Sequence, residues 1–168
     1  THFFSNLKFD LENSIFKNSS IEMNLEQVSN DTYLKAYKLD SPLIKDTSTL
    51  NSYIDFTGSN DDLSFETSIE VYEDLTKEKD SDAHQYIFPN FQLNKILYSE
   101  KNINGLLEFN SSGNQKKYDT NITETSLINN INYKSFPLYS NKGLLSDYAL
   151  LLKNVNTDSK NSTKYKNS

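Results

Sequence analysis

The side chains that could support metal binding or catalysis are few, and they begin with two histidines. His84 follows Asp80 and Asp82 in a charged stretch, whereas His2 stands near the first residue without comparable neighbours. The spacing around His84 does not match a ligand set of the kind that holds zinc. We therefore interpret the stretch as a solvated loop and expect no metal and no other cofactor.

Paired carboxylates are the next candidates for acid–base chemistry. Asp61-Asp62 and Glu73-Asp74 are adjacent in sequence, but neighbours on a strand point to opposite faces and cannot flank one substrate. The chain has no cysteine, and its four glycines stand singly, without a phosphate-binding loop. It also lacks the GxSxG pattern of a serine nucleophile. We predict that the chain is not an enzyme.

Composition excludes further classes of protein. The net charge is −6, and the 17 basic residues, all lysines, are interleaved with acidic ones. A nucleic-acid partner needs a clustered basic face, so we expect none. Aromatic residues make up 12% of the chain, which argues against simple disorder. No apolar run approaches the ~18 residues of a spanning helix, so a membrane role would have to be built from strands.

Alternation with a period of two runs through most of the chain and predicts an all-β fold of about eight strands. The clearest segment is Asp62–Tyr72, in which apolar and polar side chains take opposite faces. Turns are expected at Phe16–Ser20, Thr57–Asp61 and Ser111–Asn114, and a bulge or edge at Pro89. The segment Gln115–Tyr133 fits either a pair of strands or one long strand. The polar residues 158–168 are expected to form a loop or a truncated end.

The alternating runs are long, about nine to thirteen residues against ~5–6 for an average strand. A transmembrane strand needs about 9–11 residues, and tyrosine and phenylalanine stand near the ends of several runs, where a barrel has its aromatic girdles. A barrel and a β-sandwich both have one apolar face, so alternation alone leaves the two open.

One corner of the chain carries a resemblance. The strand that includes Ile21, Met23 and Leu25 runs into Val28-Ser-Asn-Asp-Thr-Tyr-Leu-Lys-Ala-Tyr37, which ends in a short aromatic run that fits a helix. This corner resembles the early barrel region of the LptD family, the outer-membrane proteins of lipopolysaccharide assembly, also called organic solvent tolerance proteins.

Further segments resemble that family in matching order. Leu50–Phe56 and Leu63–Tyr72 resemble its next hairpin, and Tyr86–Phe91 resembles a proline-containing entry to a strand. Gly105–Asn110 resembles a glycine-led strand that ends in asparagine, and Gly143–Asn156 resembles a later strand. The chain departs from the family where it has Lys116-Lys117-Tyr118 and no arginine.

The resemblance implies that residues 1–157 form part of a large outer-membrane β-barrel of a Gram-negative bacterium, made of antiparallel up-and-down strands and cut from a longer protein. The implied partners are lipopolysaccharide, a plug lipoprotein (LptE-like) inside the barrel, and periplasmic lipopolysaccharide-bridge proteins. The lumen-facing residues would be Glu22, Asn24, Glu26, Glu66 and Glu70. The lipid-facing residues would be Leu63, Phe65, Ile69, Val71, Leu144, Tyr148, Leu150 and Leu152.

Two alternatives remain at this point. Another outer-membrane barrel, such as a porin or receptor, would share the strands and the girdles. A soluble secreted β-sandwich that acts as a binding module would explain the polar composition, with the aromatic side chains in its core.

Overall fold

A computed structural model describes residues 1–37, 46–78, 81–100 and 104–162. It contains one short helix and ten strands in the described part, which confirms the all-β prediction. The elements are β1 (His2–Asp10), β2 (Asn18–Val28), α1 (Tyr33–Tyr37), β3 (Thr49–Ser59), β4 (Leu63–Asp74), β5 (His84–Glu100), β6 (Gly105–Tyr118), β7 (Thr123–Ser135), β8 (Leu138–Tyr139), β9 (Leu145–Ser146) and β10 (Ala149–Lys160).

Eight of these strands form a single antiparallel sheet in the order β1-β2-β3-β4-β5-β6-β7-β10, with β1 and β10 at its edges. Each strand pairs with the next one in sequence, except that β7 pairs with β10 across the small β8–β9 hairpin. We call the end of the sheet where the chain passes from β1 to β2 the upper end, and the opposite end the lower end. The up-and-down order agrees with the sequence prediction, and the sheet is open.

The turn expected at Ser111–Asn114 is wrong, because these residues lie inside β6 and pair with both neighbouring strands. Gly113 stands there because of close packing rather than a turn. A Cβ on Gly113 would lie 2.8 Å from the Phe91 ring and 2.9 Å from the Ser126 carbonyl oxygen. A glycine inside a strand often marks such a close approach.

Other boundaries also shift. β1 ends at Asp10 and β2 already begins at Asn18, so the first connection is longer than the expected turn and starts earlier. β3 continues to Ser59 and β4 begins at Leu63, so the next turn is shorter than predicted. Gln115–Tyr133 is a pair of strand segments with a turn near Asp119–Ile122. β10 extends to Lys160, three residues into the tail that was expected to be a loop, because these residues pair with Thr123–Thr125 of β7. The tail beyond residue 162 lies outside the described residues.

Pro89 marks an irregularity, as predicted. The pairing of β5 with both neighbours skips residues 88 and 89, so the register shifts between Ile87 and Asn90. A proline has no backbone N–H to donate to a ladder, and a bulge accommodates it inside the sheet. β5 is an interior strand nevertheless.

The corner after β2 folds into the one compact apolar cluster of the described residues. The Asn30 side-chain oxygen accepts hydrogen bonds from the Thr32 N–H and hydroxyl, both at 3.0 Å, which fixes the turn before α1. Leu34 of α1 is 1% exposed and packs with Leu50 and Leu75. The helical run predicted at this corner is confirmed. None of the described helical residues forms a span long and apolar enough to cross a membrane.

Candidate functional site

The two faces of the large sheet differ in chemistry, and the strand registers assign every residue to one of them. The five residues that the resemblance implies as lumen-facing lie together on one face, which we call the polar face: Glu22, Asn24, Glu26, Glu66 and Glu70. Aligned with them across β5, β6 and β7 are mainly asparagine, glutamine and serine side chains. The sequence therefore predicted correctly that these five share a face.

Two of the carboxylates are held by neighbouring side chains on the polar face. Glu22 accepts hydrogen bonds from the Tyr53 hydroxyl at 2.6 Å and from the Asn6 amide at 3.0 Å. Glu70 accepts them from the hydroxyls of Ser68 and Tyr72 at 2.5 and 2.8 Å, and from the Asn90 amide at 2.9 Å. Charge-assisted hydrogen bonds of this kind fix the carboxylates in place.

The side chains of Glu26 and Asn24 connect β2 to β3. The backbone pairing of β2 with β3 ends at Asn24 and Tyr53, and side chains of the polar face bridge the two strands beyond that point. Glu26 accepts a hydrogen bond from the Asn51 backbone N–H at 2.8 Å, and the Asn24 amide donates to the Asn51 carbonyl at 2.7 Å. These bonds replace ladder bonds at the lower end, beside α1.

Between these anchored side chains the polar face has two shallow depressions of about 230 and 150 Å³, which share Glu66 and Gln92. They follow adjacent cross-strand rows. One row consists of Asp10, Ser20, Thr57, Glu66, Gln92, Ser112, Ile128 and Val155, and the next includes Glu22, Asp55, Ser68, Asn90, Asn114 and Ser126. We call these two rows the polar trough.

The polar trough is built from hydroxyl and amide groups together with four carboxylates, those of Asp10, Glu22, Asp55 and Glu66. Short serine and threonine side chains form its floor, and amides with several hydrogen-bonding positions line it. This set can bind a hydroxylated or hydrated solute through many weak contacts. Sequence reasoning missed Ser112 and Asn114 because it placed them in a turn; the period of two, extended through Gly113, would have found them.

The opposite face, which we call the apolar face, contains most of the residues implied as lipid-facing: Leu63, Phe65, Ile69, Val71, Leu150 and Leu152. Tyr148 joins them, because its backbone exchanges hydrogen bonds with Ser135 and its ring lies 5.7 Å from that of Tyr133. Leu144 does not belong to this face, because it lies in the β8–β9 hairpin rather than in the sheet. Ile69 is 46% exposed, and the described residues include no second layer that would cover it.

The apolar side chains form a band that runs diagonally across the strands. One cross-strand row begins with Leu7, Met23, Ile54 and Ile69 on β1–β4 and ends with Gln115, Thr125 and Asp158 on β6, β7 and β10. Nearer the upper end, the row that joins Phe109, Ile131 and Leu152 is apolar on those same last three strands. The apolar band therefore moves toward the upper end from β1 to β10.

The slope of this band can be expressed as an angle. Its centre advances by about 1.3 residues per strand, which corresponds to roughly 40° for a rise of about 3.3 Å per residue and about 4.8 Å between strands. One lysine lies inside the band, at its upper rim: Lys95 bonds to Asp62 in the turn before β4, with the ammonium 2.6 Å from the carboxylate. That bond holds the pKa of Asp62 below its usual value.

The candidate metal site around His84 is occupied by structural contacts. The His84 Nδ1 lies 3.2 Å from an Asp119 carboxylate oxygen, and the Asp82 carboxylate accepts a hydrogen bond from the Thr120 N–H at 2.8 Å. The hydrogen bonds from Thr120 lower the pKa of Asp82. Asp80 lies outside the described residues, and no group of three metal-binding side chains occurs among those described.

Comparison of the chain with protein-family models, with curated proteins and with solved structures finds no match in any of the three. The function is therefore inferred from the two faces of the sheet and from the motifs in the sequence.

Proposed function

We propose that this chain is a wall segment of a large outer-membrane β-barrel that takes part in inserting lipopolysaccharide into the outer leaflet of a Gram-negative bacterium. In this proposal the apolar face contacts lipid and the polar face lines the lumen. The chain contributes a surface along which lipopolysaccharide passes and from which it is released into the membrane, and it performs no covalent chemistry. Lipopolysaccharide, a plug lipoprotein and the periplasmic bridge proteins are its partners.

The observation that carries the barrel proposal is the slope of the apolar band. The strands of a transmembrane barrel tilt by about 35–45° from the barrel axis. A lipid belt perpendicular to that axis must then cross the strands obliquely, and the roughly 40° found for the apolar band agrees with this geometry. A band that ran straight across the registers would not.

The height of the apolar band also agrees with that of a lipid belt. On β5 it extends from Tyr86 to Leu97. The two bulges of β5 add residues without adding ladder pairs, so this span corresponds to about nine ladder steps. On a strand tilted by about 40° these cover roughly 23 Å, close to the ~25 Å apolar belt of outer-membrane barrels. Where the band has moved away, on the lower parts of β6, β7 and β10, both faces are mainly polar or charged, with Leu127, Ile128 and Val155 as the large apolar exceptions.

The absence of a packed core in the described sheet argues against the β-sandwich alternative. A sandwich buries its apolar side chains between two sheets about 10 Å apart. Here the described residues form one large sheet and one small hairpin, and only five apolar residues are buried: Leu34, Leu50, Leu75, Ala83 and Ile87.

The finer proposal, lipopolysaccharide assembly rather than another barrel function, is supported by the order of the motifs that resemble the LptD family. The Val28–Tyr37 corner is the most distinctive of these motifs. Its sequence is explained by the structure, because Asn30 fixes the turn by hydrogen bonds and Leu34 is buried. The polar trough is chemically suited to the sugar headgroup, since hydroxyls and amides pair with hydroxyls.

In vivo photocrosslinking tests this finer proposal. A photoreactive amino acid placed at Glu66 or Gln92 of the full-length protein is expected to capture lipopolysaccharide, and the same group at Ile69 is expected to capture mainly phospholipid. If the polar-face positions capture no lipopolysaccharide while Ile69 still reports lipid, the chain belongs to another kind of barrel.

A further inference from the structure

The β8–β9 hairpin (residues 136–148) is the most exposed apolar element of the described chain. Tyr139 is 81% exposed and Leu144 is 69% exposed, and Phe136, Leu138 and Leu145 are also open to their surroundings. The hairpin is held at its base by the hydrogen bonds between Ser135 and Tyr148, and by the Phe136 N–H to the Asn104 carbonyl at 2.8 Å.

Such a hairpin is not expected to be stable in water by itself. Only two residue pairs form its ladder, Leu138 with Ser146 and Tyr139 with Leu145, and isolated two-stranded hairpins are marginal in water. No extensive contact joins it to another described element. Something that favours large apolar side chains therefore has to surround it.

The position of the hairpin indicates which apolar medium surrounds it. On β10 the apolar band covers only Tyr148–Leu152, about half of its height on β5. The upward slope puts the missing half above Tyr148, where the hairpin lies. Its apolar side chains thus stand where the lipid belt continues, and its tip, Ser140-Asn-Lys-Gly143, is polar.

We propose that the β8–β9 hairpin is an anchor in the boundary between phospholipid headgroups and acyl chains, in the leaflet at the upper end of the sheet. Tyr139, Leu144 and Leu145 enter the acyl region, and the polar tip with Lys142 lies among the phosphates. This inference depends on the proposed barrel. An open two-stranded edge is not tolerated deep in hydrocarbon but is compatible with the boundary, where tyrosine side chains are enriched.

The test uses single cysteines, which the chain permits because it has none of its own. A polarity-sensitive fluorophore is attached at Tyr139→Cys in the full-length protein, which is inserted into phosphatidylethanolamine/phosphatidylglycerol vesicles containing lipids with a doxyl quencher on the acyl chain. Ile131→Cys, in the apolar band of β7, is the lipid-exposed reference. Thr125→Cys, on the same strand and face but below the band, is the water-exposed reference.

We expect quenching at Tyr139 to reach at least about half of that at Ile131 and to exceed that at Thr125 by about two-fold or more, as an interfacial position requires. If Ile131 is quenched and Tyr139 behaves like Thr125, the hairpin is not an anchor, although the barrel proposal stands. If Ile131 is not quenched, the barrel proposal itself fails, and the anchor fails with it.

Discussion

At the scale of single residues, the direction of each side chain decides what a substitution does. Ile69 and Glu66 lie on the same strand, three residues apart and on opposite faces. We expect Ile69→Lys to impair assembly into the membrane strongly, since a lysine on the lipid face near the midplane costs about 2–4 kcal/mol. Glu66→Lys should assemble normally. Heat-modifiable migration of the outer-membrane fraction on a gel measures both.

Glu66 is a better control than Glu70 for a reason that the sequence does not reveal. Glu70 accepts hydrogen bonds from Ser68, Tyr72 and Asn90, so its substitution would disturb the local packing, whereas Glu66 is exposed at the polar trough. Equal assembly of Ile69→Lys and Glu66→Lys would contradict the assignment of the two faces.

Gly113 provides a second test at this scale. Any larger side chain must displace the Phe91 ring or the Ser126 carbonyl, which lie within 3 Å of the Cβ position. We expect Gly113→Val to lower the free energy of unfolding by roughly 1–3 kcal/mol, in the range of overpacking. Gln115→Val, on the same strand and face but exposed, is the control. Urea titration of the refolded full-length protein in detergent compares the two, and equal stability would refute the close packing.

At the scale of elements, the corner cluster stabilises the lower end of β1–β4. Leu34 joins α1 to Leu50 and Leu75, with Phe4 and Val28 beside them. We expect Leu34→Ala to cost about 2–5 kcal/mol, as for other buried leucines. Lys35→Ala, which changes an exposed neighbour, should cost little. Limited proteolysis between β2 and β3 reads out the difference, and unchanged cleavage in Leu34→Ala would show that the cluster does not hold the corner.

The contact between the β4–β5 connection and the β6–β7 turn should depend on pH. The pKa of Asp82 is lowered by its hydrogen bonds from Thr120, so the charged carboxylate stabilises this contact above the ordinary aspartate pKa. The stabilisation is lost as the pH falls through the lowered value. Hydrogen exchange at the Thr120 amide should therefore be slow near neutral pH and lose protection below about pH 4. Asp82→Ala should remove the protection at every pH, and a pH-independent protection factor would contradict the assignment.

An element could be predicted from the sequence when its apolar and polar residues alternate clearly. β4 has a large apolar residue at nearly every second position, and its extent and faces were predicted closely. The middle of β6, residues 110–114, consists of asparagine, serine and glycine. These residues favour turns and therefore hid a strand that forms because both neighbouring strands pair with it. β2 likewise begins inside a polar stretch.

The candidate site was predictable only in part for the same reason. The five residues of the polar face were placed together by parity along β2 and β4. The polar trough extends to β5 and β6, and its alignment depends on registers and on the bulge near Pro89, which local patterns do not determine. Leu144 was assigned to the apolar face by spacing, but β9 and residues 147–148 separate it from β10.

At the scale of the whole molecule, the oblique apolar band is the feature that supports the proposed membrane location. It arises from side chains on eight strands whose registers are fixed independently, and no single strand contains it. The slope explains why Thr125 and Asp158 can be polar on the face where Ile69 is apolar. It also puts the β8–β9 hairpin level with the proposed lipid belt.

The most direct test of this account compares lipid exposure along one cross-strand row. Ile69 and Thr125 lie in that row on the apolar face, and Ile131 lies farther up the same strand as Thr125. Spin labels at Ile69→Cys, Thr125→Cys and Ile131→Cys of the full-length protein in lipid vesicles report accessibility to oxygen and to a water-soluble nickel complex. We predict lipid exposure at Ile69 and Ile131 and water exposure at Thr125. Equal exposure of Ile69 and Thr125, whether to lipid or to water, would contradict the oblique membrane belt and with it the proposed barrel wall.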